Sequence, residues 1–189
     1  MSAGVHIVAL LSLLLMMMVE TSYRDTLRED STSFIEGIQE GSSKAKEITW
    51  DVYSNLGVAG AVSIPPFVFL LVQWKRLKAM YYVVFITACL FVMNVSKLWY
   101  HEQRPFWVPN TNIEAYSCST QFGNPSGHSL FSMGMAMVLW LDFNEFGMRA
   151  EDGHWCKPIW VRLIALVVAL TFTFTIGYSR AFLGVHSWN

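Results

Sequence analysis

Trp74-Lys75-Arg76-Leu77-Lys78 puts three positive charges into five residues, between two apolar runs. The run before it, about residues 56–73, and the run after it, about 79–99, each approach the roughly 20 residues a helix needs to cross hydrocarbon. A tight basic turn between two such runs marks the cytoplasmic side under the positive-inside rule. Composition also points to a bilayer as the main solvent. The chain has 189 residues, of which 53% are hydrophobic and 14% charged, where a soluble domain carries about 25% charge. A net charge of −1 argues against a nucleic-acid partner.

Outward from that turn, the run ending near Trp99 delivers Lys97 and Arg104 to the far, non-cytoplasmic side. Residues 106–124 are a polar loop there, and a run over 129–143 returns inward. Residues 144–158 are a second inner loop, and 159–178 cross again to deliver Ser179, Arg180 and His186. Upstream, residues 5–19 are an uninterrupted apolar stretch, read as a first span with a signal peptide as the alternative. Residues 20–55 are polar. Phe34 and Ile38, and Ile48, Val52 and Leu56, recur at helical spacing, which suits short interfacial helices or a solvated loop. The expected fold is therefore all-α: a multi-span helical membrane bundle with about five spans. Residues 1–55 form an N-terminal segment and 56–189 the main domain. Pro65-Pro66 falls inside one span, where neighbouring helices can satisfy the freed carbonyls. Cys89, Cys118 and Cys156 are separated by this topology, so no intrachain disulfide is expected. Asn94-Val95-Ser96 spells a glycosylation acceptor but lies within a span.

Three polar clusters thus share one face. Lys97 and Arg104 are two helical turns apart and point the same way if the helix persists, with Pro105 helping to end it. A point charge and a forked guanidinium suit a phosphate, although snorkelling interfacial cations would look the same. Asn124 is the expected N-cap and Pro125 the first helical residue of the inward run. The N–H groups of Ser126, Gly127 and His128 would then face an anion, with Ser126 adding a hydroxyl. In the third cluster, Ser179 and Arg180 set a hydroxyl and a cation near His186. A histidine among cations is kept neutral and can attack phosphorus, while a second histidine, His128, protonates the leaving group.

Lys-x6-Arg-Pro, Pro-Ser-Gly-His and Ser-Arg-x5-His, in this order, resemble the type 2 phosphatidic acid phosphatase superfamily over about residues 56–189. That superfamily includes lipid phosphate phosphatases, glucose-6-phosphatases and, more distantly, vanadium haloperoxidases. The resemblance implies phosphate binding by Lys97, Arg104, Arg180, Ser126 and Gly127. It also implies His128 as general acid and His186 as nucleophile, with no metal and no cofactor. Pro105, Pro125 and Ser179 are supporting residues. The family's usual site is lumenal or extracellular, here with the endoplasmic reticulum favoured over the plasma membrane. Its third motif usually continues His-x3-Asp, and the sequence stops at Asn189, one residue short, so a further segment with a sixth span is expected. Phe106-Trp107 and Cys118 are somewhat similar to the glucose-6-phosphatase branch. The expected partners are the lipid bilayer and a phosphate ester. A lipid phosphate is the first choice and a sugar phosphate the second, beside a lipid phosphotransferase or a silent lipid-binding protein.

Overall fold

A computed structural model describes residues 3–72, 76–117, 120–145 and 158–187. Five long helices carry the chain: α1 (Ala3–Gln39), α2 (Lys44–Phe67), α3 (Arg76–Tyr100), α4 (Gly127–Glu145) and α5 (Ile159–Phe182). No strand occurs among the described residues. A π-helical turn, Val68–Val72, extends α2 beyond Pro65-Pro66, and a single 3-10 turn, Pro105–Trp107, interrupts the loop between α3 and α4. Packing is centred on α4, which lies most extensively against α5 and also against α2 and α3. Trp74, Lys75, Cys118, Cys156, most of the second inner loop, Trp188 and Asn189 lie outside the described residues.

Among the described helices, α3 (with the residues following it to Trp107) and α5 are long and apolar enough to cross a bilayer. Their outward faces expose Val84, Phe91 and Val95 on α3, and Ile164, Val167 and Phe174 on α5. Large exposed apolar girdles of this kind suit lipid and not water. Five spans were expected; among the described residues these two helices meet that standard, and α1, α2 and α4 complete the all-helical bundle. In α1 the apolar residues 5–19 run without a break into the charged residues 20–39. Residues 20–55 are accordingly the end of α1, a short turn over 40–43 and the start of α2, which passes through positions 55 and 56 unbroken.

Helical periodicity located these segments but not always their buried faces. In α1 the buried stripe is Ser31, Ile35 and Gln39, spaced four apart, with Phe34 and Ile38 packed at its edge against Ile113 and Ala181. In α2, Ile48 and Val52 point outward, while Ser54 is fully buried. At the other end of the bundle, Lys78 is an ion-pair partner and not a free interfacial cation. Its Nζ lies 3.0 Å from Asp142 and 4.9 Å above the Phe69 ring, and the Tyr82 hydroxyl donates to the same carboxylate. Asn94 sits mid-helix, its amide donating to Leu90 O at 2.8 Å, and Cys89 is a free thiol.

Candidate active site

The three polar clusters meet at one end of the bundle. Lys97 occupies the last turn of α3, is buried, and donates from Nζ to Gln121 Oε1 at 2.7 Å. The helix does not persist to Arg104, contrary to the two-turn expectation. It stops at Tyr100, and His101 takes a left-handed φ of 49°. Arg104 then lies in extended backbone capping the Pro105–Trp107 turn, with Pro105 buried as its first residue. The chain break, and not a shared helix face, is what turns Arg104 inward.

Arg104 is the most completely enclosed charge, 1% exposed. Its guanidinium donates to Gln121 O (2.6 Å), Phe122 O (3.4 Å) and Val185 O (2.6 Å), and Nη1 stands 3.5 Å from His186 Nε2. One fork thereby binds the loop before α4 to the segment after α5.

The start of α4 also differs from expectation. Ser126, and not Asn124, is the cap. Its carbonyl accepts the first helical bond from Leu130 N at 2.9 Å, and its hydroxyl accepts from Ser129 N at 3.4 Å. Pro125 precedes the cap and is joined to Asn124 by a cis peptide. Asn124 is buried, its amide turned to Glu102 Oε2 at 3.1 Å, which is why it cannot serve the helix. Gly127 is the first helical residue, and a Cβ there would come within 2.6 Å of Met93 Sδ. A side chain there would have to displace the flexible Met93 thioether of α3, so the glycine leaves room for that packing beside any use of its N–H for an anion. His128 follows on the first turn, within the electrostatic field of Arg180, Lys97 and Arg104.

The end of α5 aims the third cluster. Gly184 N donates to Ala181 O at 2.9 Å and Val185 N to Arg180 O at 3.3 Å, a Schellman closure with Gly184 at φ 71°. This reversal places Val185 O on Arg104 and His186 in the centre. A Cβ on Gly184 would meet Glu114 O at 2.5 Å and Ile113 Cγ2 at 2.9 Å. Gly184→Ala combines that clash with a disfavoured backbone and should cost about 2 kcal/mol or more. A lowered melting temperature of the purified protein checks it; an unchanged one would mean that the turn can rearrange.

Arg180 is buried, donates to Ser54 Oγ of α2 at 3.4 Å, and leaves Nε without a partner among the described residues. Ser179 contributes nothing to the cavity, because its hydroxyl is spent on Ile176 O at 2.6 Å. His186 is 5% exposed, and its Nδ1 lies 2.5 Å from Gly123 O. A carbonyl only accepts, so Nδ1 carries the proton and Nε2 presents its lone pair. Burial, then the charges of Arg104 and Arg180, push the imidazole well below its ordinary pKa of 6.5; the Gly123 carbonyl acts in the opposite sense. His186, Ser126, Ser129 and Ser187 line a cavity of about 580 Å³ that continues to Leu130 and Phe174.

Several contributors carried no local signal. Gln121, Gly123 O and Glu102 lie inside or between the recognised motifs, yet only the fold shows what they touch. On α1, Gln39 bonds Glu114 O and Phe182 O, and Arg24 pairs with Glu102, all partners far away in the sequence. Among the described residues no cluster of His, Cys, Asp or Glu could hold a metal ion.

Three comparisons bear on this arrangement. No curated protein matches the chain. The fold is similar to the crystal structure of a transmembrane PAP2-type phosphatidylglycerolphosphate phosphatase from Bacillus subtilis. The TM-score is 0.67 at 15% identity, covering 93% of this chain and 82% of that one. The PAP2 superfamily model matches residues 78–189, more than half of the sequence. Since that stretch holds Lys97, Arg104, the 126–128 loop, Arg180 and His186 on an all-helical frame of matching fold, the chain belongs to the PAP2 superfamily.

Proposed function

We propose that the chain is an integral-membrane phosphatase that hydrolyses phosphate monoesters by double displacement at His186. The observation that carries this reading is the His186 tautomer: Nδ1–H is tied to Gly123 O, and the Nε2 lone pair faces the Arg104 guanidinium. A neutral, oriented imidazole beside cations is what in-line attack on phosphorus requires. In the first step Nε2 bonds to phosphorus, the ester P–O bond breaks, and His128, protonated once the bound phosphate dianion offsets Arg180, Lys97 and Arg104, gives its proton to the departing alkoxide. In the second, His128 takes a proton from water, the new oxygen bonds to phosphorus, and the N–P bond breaks. Lys97, Arg104 and Arg180, with the N–H groups at the start of α4, offset the charge on the transferring oxygens.

A lipid phosphate such as phosphatidate or a sphingoid-base phosphate is the favoured substrate. The cavity's polar end at Ser126 and His186 passes into Val92, Leu130, Met133 and Phe174, a lining that suits an apolar tail. The active end lies opposite the Arg76–Lys78 end of α3, which supports a non-cytoplasmic site. The test is phosphate release by the full-length protein in membranes from phosphatidate, sphingosine phosphate and glucose 6-phosphate. Preference for the lipids is expected; activity confined to glucose 6-phosphate would reverse the substrate assignment.

The depressed pKa of His186 sets the sign of the pH dependence. Protonation inactivates a nucleophile, and here it occurs only as pH falls below the ordinary histidine range. The acid limb of kcat/KM should therefore lie below pH 6.5 once the substrate's own ionisation near about pH 6 is removed. A limb at or above the ordinary value in the free enzyme counts against a buried neutral His186.

A further inference from the structure

Glu102 is a buried carboxylate, 6% exposed, inside the Lys97–Arg104 stretch. Its Oε2 accepts from Asn124 Nδ2 at 3.1 Å and its Oε1 from Ser187 Oγ at 3.1 Å. Its backbone carbonyl accepts from Gly123 N at 2.9 Å. Gly123 O in turn holds His186 Nδ1. These bonds close a ring: Glu102 to Gly123 and Asn124, Gly123 to His186, and Ser187 back to Glu102. Arg24 of α1 completes it from outside, 3.7 Å from Oε2 and 5.0 Å from the Tyr100 ring.

We infer that Glu102 is a positioning residue for the nucleophile, its carboxylate locking the His128-bearing loop to the His186-bearing segment. The inference rests on the phosphatase reading above. Glu102 acts through the residue after His186 and through the two residues that precede Pro125, so that Gly123 O stays in line with Nδ1. A carboxylate suits the task because it has two acceptor oxygens for two donors on different segments. Arg24 sets an opposite charge beside that carboxylate in a buried place, where a lone ion would be costly. Loss of the clamp leaves the phosphate-binding cations where they are and lets the imidazole drift. Misplacement of a reacting group by about 1 Å costs about 10²-fold in rate.

The test compares Glu102→Ala, Glu102→Gln and Ser187→Ala in the full-length protein, with kcat, KM and melting temperature for each. Glu102→Ala should lower kcat by about 10²-fold and leave KM nearly unchanged. Glu102→Gln can still accept from Asn124 and donate to Ser187, so it should restore kcat to within about fivefold of wild type. Ser187→Ala removes one bond only and should give an intermediate kcat at an unchanged melting temperature. Combined with Glu102→Ala it should add nothing, the mark of a shared interaction. Should Glu102→Ala not fold, Ser187→Ala decides: a lower kcat at constant KM supports the clamp, and wild-type kcat overturns it. An effect confined to KM, or strictly additive losses, also overturns it. If wild type releases phosphate and His186→Ala does not, while Glu102→Ala keeps full kcat, the clamp alone is wrong. If wild type hydrolyses no ester in the panel, the phosphatase reading fails and takes the clamp with it.

Discussion

Replacing His186 by alanine is expected to lower kcat by about 10⁴-fold or more, with no phosphorylated protein trapped on acid-free quenching. On the proposed mechanism the side chain forms the bond to phosphorus, so no neighbour can take over its role by small movements. The nearest groups are Arg104 and backbone carbonyls, and neither is a nucleophile at neutral pH. Folding should survive, because the deletion frees one acceptor on Gly123 and one volume at the edge of a cavity. Wild type, by contrast, should yield an acid-labile phosphohistidine when quenched during turnover of a radiolabelled ester. Phosphate release by the variant within tenfold of wild type would remove His186 from the chemistry altogether.

Arg104→Lys is expected to damage stability and activity together, which sets it apart from Arg180→Lys. A lysine cannot reproduce the fork that reaches Gln121 O, Phe122 O and Val185 O at once. The carbonyls left without a donor are buried in the joint between two catalytic segments. Each buried carbonyl left without a donor costs about 1–3 kcal/mol. Arg180 has one described side-chain bond, to Ser54, and its Nε is unengaged. Its replacement should therefore cut phosphate affinity with a much smaller loss of stability. Thermal unfolding in detergent and steady-state kinetics on both variants test the contrast. Equal melting temperatures would show that the Arg104 fork contributes little to the fold.

The all-helical architecture was legible because membrane solvation writes long apolar runs and basic turns into the sequence. The convergence of Lys97, Arg104, His128, Arg180 and His186 at one end followed from counting those runs, each of which reverses direction. Boundaries were less legible. Asn124 and Ser126 are both good caps by composition, and only the buried bond from Asn124 to Glu102 decides between them. His101 has no sequence feature that announces a left-handed break, so the helix after Lys97 looked longer than it is. Ser179 resembles a site hydroxyl until its own helix is seen to claim it. Partners such as Arg24 or Ser187 with Glu102 lie far apart in the chain and have no period to betray them.

The 37-residue α1 gives the molecule something the motifs do not specify, a rigid strut whose end fixes the loop before α4 against the end of α5. At about 1.5 Å per residue it is a rod of about 55 Å, well beyond the bilayer core of about 30 Å. Its far tip, Gln39, holds the carbonyls of Glu114 and Phe182. Adding one residue to the solvated part of that rod would raise Gln39 by about 1.5 Å and swing it through about 100°. The tip would then face away from α5. Length, besides the buried Ser31 and Ile35 and the Arg24 ion pair, is therefore fixed by what residues 20–38 connect.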